Sequence, residues 1–149
     1  MNLSTQQIFD FLHKHDKTKA VFLDCVPCDL IPASDSYPYA VVVNTEPAGK
    51  EGKHWVAIYV VSPTVVEYFD SSGQKPTGPI KEYVDRFPTA RDNDKPIQSS
   101  VTNVCGAHCV YFIVKRCKGH SFSEIVRALL KHPEADLLSC LSFYGLIKH

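Results

Sequence analysis

Hydrophobic and polar positions change their period along this chain, and the changes mark out its elements. A helical period comes first: Ile8, Phe11 and Leu12 fall on one face of residues 4–15. Ser4 with Gln7 gives that helix a capping-box start. The stretch "AVFLDCVPCDLIP" (20–32) begins as an apolar strand and breaks into a loop at its prolines. β-branched runs follow in "YPYAVVVNTEP" (37–47), "HWVAIYVVSP" (54–63) and "TVVEYFDSSG" (64–73), and each reads as a strand. The short "SPT" between the last two predicts a hairpin. Helical spacing returns at Ile80, Tyr83, Val84 and Phe87 (78–87), and "PIQSSV" (96–101) reads as a short strand. Ala107, Val110, Tyr111 and Val114 then predict a helix from Gly106 to Lys118. A further helix over 120–132 starts from a Ser121/Glu124 cap, and a final helix or half-helix occupies the tail. A helix, a group of strands and then helices predict an α+β fold.

Composition narrows the picture. The 149 residues suffice for one domain with a core, so a single domain over 1–149 is expected. Sixteen basic and sixteen acidic side chains cancel, which argues against a broad nucleic-acid surface. No apolar run reaches the roughly 18–20 residues of a membrane span, so no membrane partner is expected. The amphipathic start "MNLSTQQIFDFLHKHDKTK" lacks a signal-peptide core. The expected location is intracellular, or a particle assembled inside a cell.

The chemistry centres on one junction. "IQSSVTNVCGAHCVYFIV" runs polar up to Cys105-Gly106 and apolar afterwards, which puts a thiol at the start of a buried helix. There the helix N–H groups point at the sulfur and favour thiolate. Gly106 lets a substrate backbone approach closely. His54 begins an apolar strand after the polar turn "AGKEGK", where it can project into a cleft as a base. Asp70 ends the next strand; if the two strands form a hairpin, it lies beside His54 and can fix the imidazole tautomer. Gln98, seven residues before Cys105, can supply an oxyanion donor together with the Cys105 N–H. Taken singly, each residue has a plainer reading: an inert buried thiol, a strand-end histidine, a turn-starting aspartate, a surface glutamine.

The other cysteines weigh against rival chemistries. "CVPC" (Cys25, Cys28) has half the spacing of a zinc or redox site, but a tightly spaced second half is missing. Cys105, His108 and Cys109 share one helix and do not all converge on one ion. Six cysteines in a chain of this size, without a secretory signal, read as free thiols. Cys117 and Cys140 read as small hydrophobes, and Cys109 as a buried neighbour of Cys105.

His54-Trp55, Asp70-Ser71, Gln98 and Cys105-Gly106, in that order, resemble the adenovirus maturation protease (adenain) family and its clan, which includes proteases of ubiquitin-like modifiers. "NTEPAGKEGKHWVAIYV", "EYFDSSGQKP" and the Gln98–Cys105 segment with its helix carry the likeness over roughly residues 20–130. "FLDCVPCDLIP" is similar to a segment that precedes the first strand in viral and transposon-encoded members. The resemblance implies a small mixed sheet flanked by helices, with a nucleophile, Cys105, at the N-terminus of a central helix. It implies His54 as base and acid, Asp70 as its orienter, and Gln98 with the Cys105 amide as the oxyanion hole. Trp55 and Asn44 would line the cleft. The implied function is a cysteine endopeptidase that cleaves viral capsid or core precursors during virion maturation. The alternative is a processing protease for a ubiquitin-like modifier, and a third reading is an inactive interaction module. The implied partner is a protein substrate. No cofactor or metal is carried over onto this neutral chain, and an activating peptide is left open.

Overall fold

The computed structural model describes residues 3–50, 54–97 and 104–143. Among these residues five strands form one mixed sheet in chain order: β1 (Phe22–Pro27), β2 (Tyr39–Asn44), β3 (Trp55–Ser62), β4 (Val65–Phe69) and β5 (Thr89–Asp92). The pairs β2/β3 and β3/β4 are antiparallel, whereas the outer pairs β1/β2 and β4/β5 are parallel. Among the described residues five helices accompany the sheet: α1 (Thr5–Lys14), α2 (Gly78–Val84), α3 (Cys105–Cys117), α4 (Phe122–Lys131) and α5 (Ala135–Phe143). The α+β expectation therefore holds.

Strand alternation explains the layering. Ala40, Val42, Ala57, Tyr59 and Phe69 face one side and pack with α1, α3, α4 and α5. Val41, Val43, Val56, Ile58, Val60 and Val66 face the other side and pack with Ile80, Tyr83 and Val84 of α2. Burial on both faces is why these strands read as continuous apolar runs. The small Ala40 and Ala57 sit beneath α3, and Phe69 stacks on Phe112 with ring centroids 4.6 Å apart. Each such fully buried aromatic contributes roughly 2–3 kcal/mol over its exposed state.

Two helices start as their sequences predict. Ser4 Oγ accepts the Gln7 N–H at 3.1 Å while Gln7 Oε1 accepts the Ser4 N–H at 2.8 Å. Ser121 and Glu124 repeat the reciprocal pair on α4. α3 differs, because Val104 caps it without a side-chain bond and residues 105–114 are buried all round.

One expectation needs correction. The predicted strand at 96–101 is not observed at Pro96 or Ile97, and residues 98–101 lie outside the described ones. The strand in this region is β5, whose Thr89, Ala90 and Arg91 are exposed. A short exposed edge strand carries no apolar alternation, so the sequence does not announce it. The strand start read within 20–32 is observed: residues 22–27 are the sheet's edge strand β1, paired with β2 from Phe22↔Ala40 to Pro27↔Asn44.

Candidate active site

The β3–β4 hairpin forms as predicted, with Ala57 opposite Phe69. Its register brings the residue before β3, His54, beside the residue after β4, Asp70. His54 Nε2 lies 2.6 Å from Asp70 Oδ1. Asp70 is buried, and the same oxygen accepts the Ser72 N–H at 2.9 Å and the Ser72 hydroxyl at 2.7 Å. With Nε2 turned to the carboxylate, Nδ1 is the ring nitrogen left to meet the thiol, and the imidazole is hydrogen-bonded to Cys105.

Cys105 opens α3, as expected. Its sulfur accepts the Trp55 N–H at 3.4 Å and is also held by the Gly106 N–H. The helix leaves the Cys105 N–H without an intrahelical acceptor, since the first turn's donors have no residue i−4 inside the helix. Gly106 is tightly enclosed: a Cβ there would meet Ile8 Cδ1 at 3.1 Å, Leu3 Cβ at 3.2 Å and Trp55 Cδ1 at 3.4 Å. Trp55, Leu3 and Ile8 thus close over the turn that carries Cys105.

The electrostatics favour an ion pair. Burial alone would raise the Cys105 thiol, but the His54 hydrogen bond, the Trp55 N–H and the His54 charge outweigh it and hold it below its usual value. Burial alone would lower His54, but its hydrogen bonds to Asp70 and Cys105 and their charges push it up to about 10. Burial would likewise raise Asp70, but the bonds to His54 and Ser72 keep it below the ordinary carboxylate range. The site thus favours thiolate over thiol at Cys105, beside an imidazolium at His54 and a carboxylate at Asp70.

Cys109, one turn along α3, is not a second nucleophile: full burial pushes its thiol well above the usual value. Burial raises Cys25 to about 12 and Cys117 to about 11. All six cysteines are free thiols. His108 turns away from the site toward α5, and among the described residues no cluster suited to a metal ion is found.

A cleft of about 730 Å³ opens beside Cys105. Trp55, Asn44, Pro27 and Cys25 line it from the sheet, Leu3 from the start of α1, and the chain at 46–50 from across. Asn44 Oδ1 accepts the Glu46 N–H at 2.9 Å, which ties that chain to the end of β2. Gln98 lies outside the described residues. Two side chains that bear on the geometry, Ser72 and Asn93, were not singled out from the sequence. "DSSG" contains the Asx-turn pattern that could have pointed to Ser72, whereas no local pattern marks Asn93.

No protein-family model matches the chain. It is 29% identical over 117 residues to a protein of Acanthamoeba polyphaga mimivirus, named as a candidate thiol protease; the match covers 70% of this chain and 38% of that one. It is 28% identical over 103 residues to the SUMO-1 cysteine protease of African swine fever virus (isolate Warthog), over 60% of this chain and 38% of that one. The crystal structure of the African swine fever virus protease superposes with a TM-score of 0.71 at 16% identity, covering 99% of this chain and 67% of that chain. The chain is related to viral cysteine proteases and shares their fold. The central domain of an uncharacterized Legionella pneumophila protein has the same fold at a TM-score of 0.56 and 14% identity, with 97% of this chain and 94% of that one covered. The chain spans less than two fifths of the length of the curated viral relatives it matches.

Proposed function

We propose that this chain is a cysteine endopeptidase domain over residues 1–149. The observation that carries the reading is the hydrogen-bonded series Cys105, His54 and Asp70 at the head of α3. In the proposed reaction the Cys105 thiolate attacks a peptide carbonyl and forms a tetrahedral oxyanion. The Cys105 N–H is one donor to that oxyanion, and Gln98 is proposed as the second. The His54 imidazolium gives its proton to the leaving amine, and a thioester remains on Cys105. His54, now neutral, takes a proton from water, which attacks the thioester and releases the acid. Asp70 holds the ring with Nε2 toward itself throughout and stabilises the imidazolium.

The natural substrates we propose are viral capsid or core precursors, cut during maturation in an infected cell or in the particle assembled there. Kinship to proteins named as viral proteases supports this. A second reading, processing of a ubiquitin-like modifier, draws support from one relative's name as a SUMO-1 protease and from Trp55 beside the nucleophile. The test uses purified chain with two probes: a library of unfolded polypeptides, and a ubiquitin-like modifier bearing a C-terminal electrophile. Cleavage of the library, lost in Cys105→Ala, is the expected result. Labelling of Cys105 by the modifier probe without library cleavage would favour the second reading. Neither reaction, under conditions where iodoacetamide selects Cys105, would sink both.

A further inference from the structure

We infer that Asn93 is a positioning residue of the active site, acting through the backbone of Asp70. The inference rests on the proposed roles of Cys105, His54 and Asp70.

The β4/β5 ladder ends at Tyr68↔Asp92. One rung further on, Asp70 leaves β4 with a backbone N–H and C=O that the strand partner no longer pairs, in a buried position where unpaired groups are costly. Asn93 supplies the missing rung with its side chain. Its Oδ1 accepts the Asp70 N–H at 2.8 Å and its Nδ2 donates to the Asp70 C=O at 2.6 Å. A carboxamide presents a donor and an acceptor side by side, as a peptide group does. Asn93 is 4% exposed, and its Nδ2 also reaches the Lys95 C=O at 3.3 Å.

The rest of the contact is backbone on backbone. The Ile97 N–H donates to the Ser71 C=O at 2.7 Å, and the Gly73 N–H donates to the Asp70 C=O at 2.8 Å. Gly73 has φ +74°, and a Cβ there would come within 2.6 Å of Lys95 C and closer still to Pro96 N. The turn at 70–73 and the segment 93–97 therefore interlock, with the Asn93 amide at their centre. With the Asp70 backbone fixed from both sides, its carboxylate has one direction left, toward His54 and Ser72. Loosening the Asp70 backbone by even about 1 Å weakens the bond that keeps His54 charged, and misplacement on that scale costs catalytic groups about 10²-fold.

A purely structural role would lower stability alone. A positioning role also moves the titration of Cys105, because a less firmly charged His54 no longer favours the thiolate. The test follows iodoacetamide alkylation of Cys105 against pH by mass spectrometry. It compares the wild type, Asn93→Ala, Asn93→Asp, Asp70→Asn and the double variant Asn93→Ala/Asp70→Asn, each well below its own melting temperature. Asn93→Asp keeps the shape and the acceptor but turns an oxygen on the Asp70 C=O, so it carries the test if Asn93→Ala fails to fold.

We expect the alkylation inflection of both Asn93 variants to rise toward 9. On the acid side of the curve that lowers the rate about tenfold for each unit of rise. Adding Asn93→Ala to Asp70→Asn should change nothing further, since the two act through one group. A folded Asn93 variant with the wild-type inflection, or an additive double variant, would overturn the inference and leave the active-site reading intact. A wild-type Cys105 that titrates as an ordinary thiol would instead overturn the active-site reading, and the role of Asn93 with it.

Discussion

Asp70 Oδ1 and His54 Nε2 lie 2.6 Å apart, although they belong to opposite ends of a hairpin and are separated by fifteen residues of chain. The register of β3 against β4 creates that contact, and it fixes which ring nitrogen is left for the thiol. Replacing Asp70 by Asn keeps the shape but offers the ring an amide in place of a carboxylate. The imidazolium loses its counter-charge, and the ring can settle with the wrong nitrogen toward Cys105. Peptide cleavage by Asp70→Asn should fall between about 10²- and 10⁴-fold in kcat, the range for losing a proton-transfer partner or its orienter. Steady-state rates on any cleaved peptide measure it, and a change confined to KM would contradict the assigned role.

The same ion pair sets a pH window. Cys105 is held below its reference of 9.0, and His54 rises from 6.5 to about 10. The active form needs a deprotonated thiol and a protonated imidazole at once. Activity should rise along an acid limb set by Cys105, below the ordinary thiol value, and fall along an alkaline limb near 10 set by His54. In His54→Ala the alkylation inflection of Cys105 should move back up to the ordinary thiol range, about 8.5–9. A pH series of initial alkylation rates on both proteins decides it.

Much of this site was legible before any coordinates, because its parts sit at element boundaries. His54 begins an apolar run, Asp70 ends one and Cys105 precedes one, and boundaries between polar and apolar period are what sequence shows best. The contact between His54 and Asp70 was legible only through the hairpin, which "SPT" announced. Asn93 was not legible, because its bonds are to the backbone of a residue 23 positions away. β5 was missed for a related reason: what holds it is a parallel ladder and the Arg91–Glu67 pair, neither of which leaves an apolar pattern.

Glu67 provides a stability test independent of catalysis. It is fully buried, and three guanidinium bonds reach it: Arg116 Nε at 2.8 Å, Arg116 Nη2 at 3.1 Å and Arg91 Nη1 at 3.0 Å. Arg116 also lies over the Tyr59 ring, 4.5 Å from its centroid. Arg116→Met fills similar space but leaves the carboxylate with only the half-exposed Arg91. Removing one partner of a buried pair costs about 3–5 kcal/mol, and about 3 kcal/mol is expected here because Arg91 remains. A thermal melt should drop by roughly 10 °C, at about 2–4 °C per kcal/mol for a chain near this size. The charge-free Glu67→Gln/Arg116→Met double variant should recover part of the loss.

Gly106 tests the enclosure of Cys105. A methyl group there meets Ile8 at 3.1 Å and Leu3 at 3.2 Å, which must yield by a few tenths of an ångström, and touches Trp55 at 3.4 Å. Gly106→Ala should also gain helix propensity, up to about 1 kcal/mol, because residue 106 lies within α3. Overpacking on the other side costs about 1–3 kcal/mol. The two effects nearly offset in stability, so the melting temperature should change little. The site should not be so forgiving, since the added methyl sits against Trp55, whose N–H holds the Cys105 sulfur at 3.4 Å. Alkylation of Cys105 at pH 6 should slow at an almost unchanged melting temperature. Gly106→Val, with two further methyl groups against the same neighbours, should lose both labelling and stability. If Gly106→Ala labelled as fast as wild type, Trp55 would not be coupled to the sulfur through this contact.

The buried histidine of α3 gives a pH effect of opposite origin. His108 Nε2 faces Asp136 at 2.7 Å and Nδ1 faces the Ser139 hydroxyl at 2.8 Å, so a neutral ring with its proton on Nε2 satisfies both α5 partners. Burial holds His108 below its ordinary value, more than Asp136 raises it. The unfolded chain therefore takes up this proton first as pH falls, and stability contributed by the neutral ring is present above about 6.5 and declines below it. Melting temperature should fall with acidification from pH 7 to 5, with His108→Leu removing part of that slope. Ser139→Ala strips a buried acceptor of its donor and should cost about 1–3 kcal/mol. It should leave the Cys105 alkylation profile where it was, because Ser139 and Asp136 tie α5 to a part of α3 that turns away from the cleft.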